Sequence, residues 1–72
     1  MTRKFKMENL ECANCAAKME RTIGKIDGVQ RVNISFMMQT MTIEADESDF
    51  ARIMELAKKQ CRKIEPDCKI VL

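Results

Sequence analysis

Four cysteines are the residues of this chain whose types and spacing could do chemistry. Only two residues separate Cys12 from Cys15, whereas Cys61 and Cys68 lie far along the chain with six residues between them. The short spacing lets both sulfurs of the first pair reach one ion from a single turn of chain. The spacings of the four cysteines do not match a zinc ribbon, which needs two short-spaced pairs. The N-terminus shows no secretory apolar region, so we expect a reducing, cytoplasmic setting that favours metal binding or thiol chemistry over disulfides.

The composition predicts a small domain that performs no catalysis of its own. The 72 residues are 46% hydrophobic, so we expect one domain over residues 1–72 with a modest packed core. The absence of histidine excludes Ser-His-Asp and Cys-His catalysis. No apolar run approaches the roughly 20 residues of a membrane helix, so no direct membrane insertion is expected. A net charge of +2 and only three Phe make nucleic-acid binding a poor fit.

Hydrophobic periodicity predicts six elements in the order β-α-β-β-α-β. The first helix is expected to end at Asp27–Gly28, and a tight turn at Met38–Gln39 joins the two middle strands. Residues 46–49 form an acidic, cap-rich start to the second helix, which must stop before Pro66. The predicted inward-facing residues of the six elements are Phe5 and Met7; Ala16, Met19, Ile23 and Ile26; Val32, Ile34 and Phe36; Met41, Ile43 and Ala45; Phe50, Ile53, Met54, Ala57, Cys61 and Ile64; and Cys68, Ile70 and Leu72.

This order predicts an α+β fold of the ferredoxin-like βαββαβ type, a four-stranded antiparallel sheet with two helices on one face. Its connectivity brings all four cysteines towards the same pole of the sheet. The Met38–Gln39 hairpin lies at that pole too. Because the hairpin joins an edge strand, we expect it about two strand spacings, ~10 Å, from the strand that precedes Cys12.

The Cys12–Cys15 segment follows a strand and opens a helix, a position that favours thiolate. Unpaired backbone N–H groups and the positive end of the helix lie beside the sulfurs. Soft thiolates select Cu(I), zinc and cadmium over Mg²⁺ or Ca²⁺. Glu11 adds an oxygen ligand that suits a divalent ion and is useless to a linear Cu(I) site. The alternative of another class is a small thiol-disulfide redox protein, which the short chain and the absence of a proline facing the pair make less favourable.

The sequence Asn-Leu-Glu-Cys-Ala-Asn-Cys-Ala-Ala at residues 9–17 resembles the metal loop of the heavy-metal-associated domain family. The resemblance covers nearly the whole chain and includes Gly28-Val29 and Val32-Asn33. That family comprises copper chaperones and the cytosolic N-terminal domains of soft-metal P-type ATPases. The Leu-Glu-Cys-Ala-Asn-Cys sequence at residues 10–15 and the segment 64–67 are similar to those of its cadmium, zinc and lead branch.

The resemblance implies that Cys12 and Cys15 are metal ligands, Glu11 an additional ligand, and Leu10 an apolar plug beneath the loop. It implies a delivery or regulatory domain of a Zn²⁺-, Cd²⁺- or Pb²⁺-translocating ATPase. The partner would be the ATPase membrane domain or a metallochaperone with an acidic surface. A freestanding Cu(I) chaperone is the alternative, although segment 61–68 replaces the Gly-Tyr or Lys-Thr-Gly loop common in copper members.

Three further features bear on the site. Cys68 begins a strand beside the first one and is either an optional fourth ligand or a small apolar residue, whereas Cys61 is expected in the core. A direct ligand role is not expected of Met37 or Met38, and a soft apolar docking rim is the better functional interpretation of this pair. A basic group at the end of the second helix either meets an acidic partner or complements the helix dipole; it comprises Lys58, Lys59, Arg62 and Lys63, joined by Lys18 and Arg21.

Overall fold

A computed structural model describes residues 1–71, which fold into four strands and two α-helices in the predicted order. The elements are β1 (Thr2–Glu8), α1 (Ala13–Gly24), β2 (Val29–Ser35), β3 (Thr40–Ala45), α2 (Phe50–Ile64) and β4 (Lys69–Val71), with a short 3₁₀ helix at Glu47–Asp49. Leu72, predicted to face the core from the last strand, lies outside the described residues.

The strands form one antiparallel sheet in the spatial order β2-β3-β1-β4. The first strand is central: it pairs with β3 from Thr2 to Lys6 and with β4 from Lys6 to Glu8. Phe5 and Met7 are buried while Lys4 and Lys6 are exposed, so one face of the sheet is left to solvent. The predicted ferredoxin-like sheet is confirmed.

One hydrophobic core fills the space between the covered face of the sheet and the two helices. Each helix contributes a single apolar stripe: Ala16, Met19 and Ile23 from α1, and Phe50, Ile53, Met54, Ala57 and Cys61 from α2. The methionines predicted to fill the core, Met7, Met19, Met41 and Met54, are all buried. Neither helix of the described residues combines the length and the apolar run that a membrane crossing needs.

The first helix ends at Gly24, earlier than the predicted end at Asp27–Gly28. Beyond it the chain continues in tight turns, in which the N–H of Ile26 donates to the carbonyl of Ile23 at 3.0 Å and that of Val29 to the carbonyl of Ile26 at 3.1 Å. Turns with i→i+3 hydrogen bonds keep the backbone compact and leave apolar residues partly buried. The hydrophobic pattern of these residues therefore looks like that of a longer helix. Gly28 then reverses the chain at a φ of 99°.

The second strand departs from the predicted alternation at both ends. It begins at Val29, before the first predicted inward residue Val32, and its pairing with β3 is irregular between Val29 and Arg31. Phe36, predicted to be its last inward residue, follows the end of the strand and is only partly buried. A bulge inserts a residue without a partner, so the period-two pattern does not continue through it.

The start of α2 is acidic, as predicted, but neither Asp46 nor Asp49 caps it with a side chain. The 3₁₀ turn satisfies the backbone instead, because the N–H of Asp49 donates to the carbonyl of Asp46 at 3.0 Å. The Asp49 carboxylate pairs with Arg52 at 3.5 Å. These acids therefore act through their charge near the helix N-terminus rather than as caps.

Candidate metal-binding site

Cys12 occupies the N-cap position of α1. Its backbone is extended, with φ −128° and ψ 116°, and its carbonyl accepts the first helical hydrogen bond from the N–H of Ala16 at 3.0 Å. Its Sγ accepts a hydrogen bond from the backbone N–H of Cys15 at 3.1 Å. A sulfur thus fills the role that a serine or aspartate oxygen usually has, and it lies where the helix end favours negative charge.

The two loop thiols differ in acidity. The side-chain hydrogen bond with Cys15, followed by hydrogen bonds from the backbone N–H groups of Cys15 and Asn14, lowers the pKa of Cys12. The same side-chain hydrogen bond and desolvation raise the pKa of Cys15 to about 11. The metal-free loop therefore favours a thiolate on Cys12 and a thiol on Cys15, and an ion bound by both sulfurs would have to displace the proton of Cys15.

Leu10 anchors the loop from below. Its side chain is buried, as expected of an apolar plug. Asn9, directly before it, adopts a φ of 60°, a left-handed conformation that asparagine tolerates better than most residues. This bend turns the chain out of β1 so that Leu10 enters the core and the cysteines stay at the surface.

The Met38–Gln39 hairpin lies closer to the loop than the predicted two strand spacings. It joins β2 to β3, and β3 is the direct neighbour of β1, so the N–H of Met7 donates to the carbonyl of Gln39 at 2.7 Å. The Gln39 side chain accepts from the N–H of Leu10 at 3.0 Å and donates to the carbonyl of Leu10 at 2.6 Å. It also donates to the carbonyl of Phe36 at 2.9 Å. Gln39 thus ties the hairpin to the backbone that enters the metal loop.

Glu65 is the acidic side chain that the fold brings to the loop from a distance. Its Oε1 accepts from the backbone N–H of Glu11 at 3.1 Å, across 54 positions of sequence. Its negative charge contributes to a higher pKa of Cys12, Cys15 and Cys68 alike. Glu11 itself is exposed at the surface of the loop. Two carboxylates, one predicted and one not, are therefore available beside the sulfurs.

Cys61 and Cys68 are both buried, at 1% and 6% exposure. Burial raises the pKa of Cys61 to about 12, and the neighbouring Cys68 contributes to that rise. Desolvation likewise raises the pKa of Cys68, followed by the charge of Glu65. The core position expected of Cys61 is confirmed. Cys68 lies directly before β4, which begins at Lys69 rather than at Cys68 as predicted, and it lines the same cavity as Cys61.

Within residues 1–71, no three Cys, Asp or Glu side chains are gathered closely enough to hold a metal ion as they stand. Cys12 and Cys15 lie together at the start of α1, and metal binding by Cys12, Cys15, Glu11 or Cys68 stays a prediction. Met37 and Met38 project from the hairpin with 87% and 69% of their surface exposed. They have the exposure that a docking rim requires.

Gln39 and Glu65 are the residues that sequence analysis missed as parts of the site. The sequence predicts Gln39 only as a turn residue, and its positive φ of 54° suits that position. Glu65 lies within the segment 64–67 that resembles the cadmium, zinc and lead branch, and this resemblance is the signal in the sequence that points to it. Both act through side chains that meet the loop only once the sheet and α2 are assembled.

Comparison with known proteins places this geometry in a family. The heavy-metal-associated domain profile matches residues 4–65. The cadmium, zinc and cobalt-transporting ATPase of Bacillus subtilis is 27% identical over 88% of this chain, which spans 9% of that protein. The copper chaperone CopZ of Enterococcus hirae is 26% identical over 68% of this chain and 71% of its own length.

A solved structure agrees with these relatives. The N-terminal domain of a potential copper-translocating P-type ATPase from Bacillus subtilis, in the Cu(I)-loaded state, superposes with a TM-score of 0.75. It is 26% identical, and the alignment covers 99% of this chain and 84% of that one. With its βαββαβ fold and its Cys12–Cys15 pair at a helix start, the chain belongs to the heavy-metal-associated domain family of metal-binding modules.

Proposed function

We propose that this domain captures a soft divalent ion, Zn²⁺, Cd²⁺ or Pb²⁺, and serves as the cytoplasmic N-terminal delivery or regulatory domain of a heavy-metal-translocating P-type ATPase. The domain performs no catalysis; the ATPase would supply the translocation. Capture would begin at the Cys12 thiolate, continue at Cys15, and be completed by an oxygen ligand. Transfer would proceed by exchange of these ligands for those of the next site.

The observation that carries this proposal is a carboxylate held at a dithiol loop. Two thiolates alone suit a linear monovalent ion, whereas zinc and cadmium prefer four ligands. Glu65 is hydrogen-bonded to the loop backbone, and Glu11 directly precedes Cys12, so oxygen donors lie beside the two sulfurs. Because the described residues hold no gathered set of three ligands, the third ligand would move in as the ion binds.

The ligand count tests this site. Cd²⁺ is loaded onto the reduced protein and its sulfur neighbours are counted by X-ray absorption, in the parent and in Cys68→Ser. Two sulfurs plus oxygen in both samples would support an open site of Cys12, Cys15 and a carboxylate. Three sulfurs that fall to two in Cys68→Ser would instead make Cys68 a ligand and the site nearly closed. Retained high affinity in Cys12→Ser or Cys15→Ser would overturn the site itself.

The two carboxylates can be separated by matched substitutions. Glu11→Gln and Glu65→Gln each remove one negative charge while keeping shape and a carbonyl oxygen. We expect the variant that lacks the true ligand to bind Cd²⁺ about tenfold or more weakly, with a much smaller loss for Cu(I). Affinity is measured by competition with a chromophoric chelator. Equal losses for Cd²⁺ and Cu(I) would reject a carboxylate ligand at both positions.

The exposed lysines near the end of α2 are proposed to meet an acidic partner, the ATPase membrane domain or a metallochaperone. Lys59 and Lys63 are exposed. Within residues 1–71 the ion pair found is that of Arg52 with Asp49, at the other end of α2, so it does not involve these two lysines. We expect Lys59→Gln/Lys63→Gln to slow metal transfer to that partner and to reduce its salt dependence. Lys4→Gln/Lys6→Gln, on the open face of the sheet, is the matched control. Equal effects of the two variants would contradict a localised docking surface.

A freestanding Cu(I) chaperone is the second candidate. It is favoured by one observation: the copper chaperone CopZ is 26% identical over 68% of this chain. A chaperone would bind Cu(I) through Cys12 and Cys15 alone. Its signature would be a linear site with two sulfur ligands, whose affinity for Cu(I) is unchanged by Glu11→Gln and by Glu65→Gln.

A further inference from the structure

Cys61, on α2, and Cys68, directly before β4, form a second pair of thiols. Cys61 belongs to the buried stripe of α2. Cys68 alternates with exposed Lys69 and shares its side of the chain with buried Ile70, so it faces the same core. The two thiols are near enough for the charge of Cys68 to bear on Cys61. Neither is engaged in a disulfide.

Both cysteines line one cavity between α2 and the start of β4. The cavity has a volume of about 210 Å³, which is ample for a single ion. Its remaining lining combines apolar Pro66 and Ile70 with three cationic side chains, those of Lys58, Arg62 and Lys69. This pair of thiols therefore has cationic neighbours, whereas the Cys12–Cys15 loop has carboxylates beside it.

We propose that Cys61 and Cys68 form a second metal site, which binds a thiophilic ion of the Cu(I) class in two-coordinate geometry. Thiolate sulfur selects such soft ions, and two sulfurs suffice for a linear complex. Zinc and cadmium are disfavoured here because they prefer four ligands, and the cavity lining adds only cationic and apolar side chains to the two sulfurs. The inference goes beyond the proposed function, because it makes Cys68 a ligand of a second site shared with Cys61 rather than a ligand of the loop site.

The charge balance fits a monovalent ion. Binding replaces two thiol protons by one metal ion: both S–H bonds are broken, two S–metal bonds form, and two protons leave to solvent. The product carries one negative charge for Cu(I) and none for Hg²⁺. Lys58, Arg62 and Lys69 provide the compensation that a partly buried anion needs. Without metal the pair stays protonated, because burial raises the pKa of both thiols.

The decisive experiment uses the full chain with the loop site removed. Cys12→Ser/Cys15→Ser is titrated with Cu(I) under anaerobic conditions against a chromophoric Cu(I) chelator, and its sulfur ligands are counted by X-ray absorption. We expect one retained ion with two sulfurs, and loss of that ion when either Cys61→Ala or Cys68→Ala is added. The parent chain is expected to retain two ions. No retained ion in the loop-deleted chain, or one that survives both alanine substitutions, would overturn the second site.

Failure here would leave the proposed function intact, because that function depends on the ion bound through Cys12 and Cys15. Circular dichroism and thermal unfolding verify that each variant is folded.

A second measurement leaves Cys61 and Cys68 in place. Lys58→Gln/Lys69→Gln in the loop-deleted chain should weaken Cu(I) binding about tenfold while leaving Hg²⁺ binding nearly unchanged. Lys4→Gln/Lys6→Gln is the charge-matched control. Equal losses for the two ions, or an equal loss in the control, would contradict the role given to the cationic lining.

Discussion

The two loop cysteines should react at different rates because the fold gives their sulfurs different neighbours. Hydrogen bonds lower the pKa of Cys12, whereas the pKa of Cys15 is raised to about 11. As the pH falls towards neutrality, Cys12 therefore keeps its thiolate after Cys15 has become protonated, and the thiolate is the form that is alkylated. We expect iodoacetamide to label Cys12 well before Cys15 in the metal-free protein at pH 7.5, as measured by peptide mass spectrometry.

Substitution of Cys15 separates the causes of this difference. The largest influence on Cys12 is the side-chain hydrogen bond with Cys15, and the backbone N–H of residue 15 comes next. Cys15→Ala removes the first and keeps the second, so alkylation of Cys12 should slow without returning to the rate of an ordinary thiol. Cys15→Ser, which retains a donor, should slow it less. Equal labelling of both cysteines in the parent protein would show that the helix start does not distinguish them.

At the residue scale, the sequence could predict what is local and not what is brought together by folding. Cys12 and Cys15 are three positions apart at a strand-to-helix boundary, so their placement follows from periodicity and spacing alone. Glu65 reaches the backbone of Glu11 across 54 positions. Whether its carboxylate turns to the loop or to solvent depends on the path of the chain after α2. That path is set by packing, which no pattern of neighbouring residues records.

At the scale of elements, the hairpin and the metal loop are joined through one side chain. Gln39 makes three hydrogen bonds to backbone groups of Leu10 and Phe36. Gln39→Ala would leave part-buried donors and acceptors without partners, so we expect a loss of about 1–3 kcal/mol in the free energy of unfolding. Urea denaturation measures this loss. Amide hydrogen exchange at Leu10 should accelerate more than exchange in the centre of the sheet.

Gln30→Ala is the matched control for that substitution, since Gln30 is exposed on β2. It should change the free energy of unfolding by less than about 0.5 kcal/mol. Similar losses for the two variants would contradict a specific tie between the hairpin and the loop.

The contact between Gln39 and Leu10 also shows why the strand order decides the distance between the hairpin and the metal loop. The alternation of β2 and β3 predicted two strands and a turn, but which of them lies beside β1 decides whether the turn meets Leu10.

At the scale of the whole molecule, a 72-residue domain with four free cysteines has a small margin of stability, so metal capture should be visible in its unfolding. An ion that binds only the folded chain stabilises it by about 2.7 kcal/mol at a free concentration 100 times its Kd. For a domain of this size that corresponds to a rise of roughly 10–20 °C in Tm. We expect Cd²⁺ to produce a rise of this order, measured by circular dichroism under reducing conditions.

The origin of that rise can be assigned because the loop and the core pair of cysteines are separable. Cys12→Ser/Cys15→Ser should abolish most of the Cd²⁺ effect, whereas Cys61→Ala/Cys68→Ala should lower the starting Tm yet preserve the increment. The unfolded chain also presents four thiols, and any Cd²⁺ bound to it reduces the increment in every variant that keeps them. The comparison therefore rests on the difference between the two double variants. An increment that follows Cys61 and Cys68 instead would place divalent capture in the core and remove the loop from the proposed mechanism.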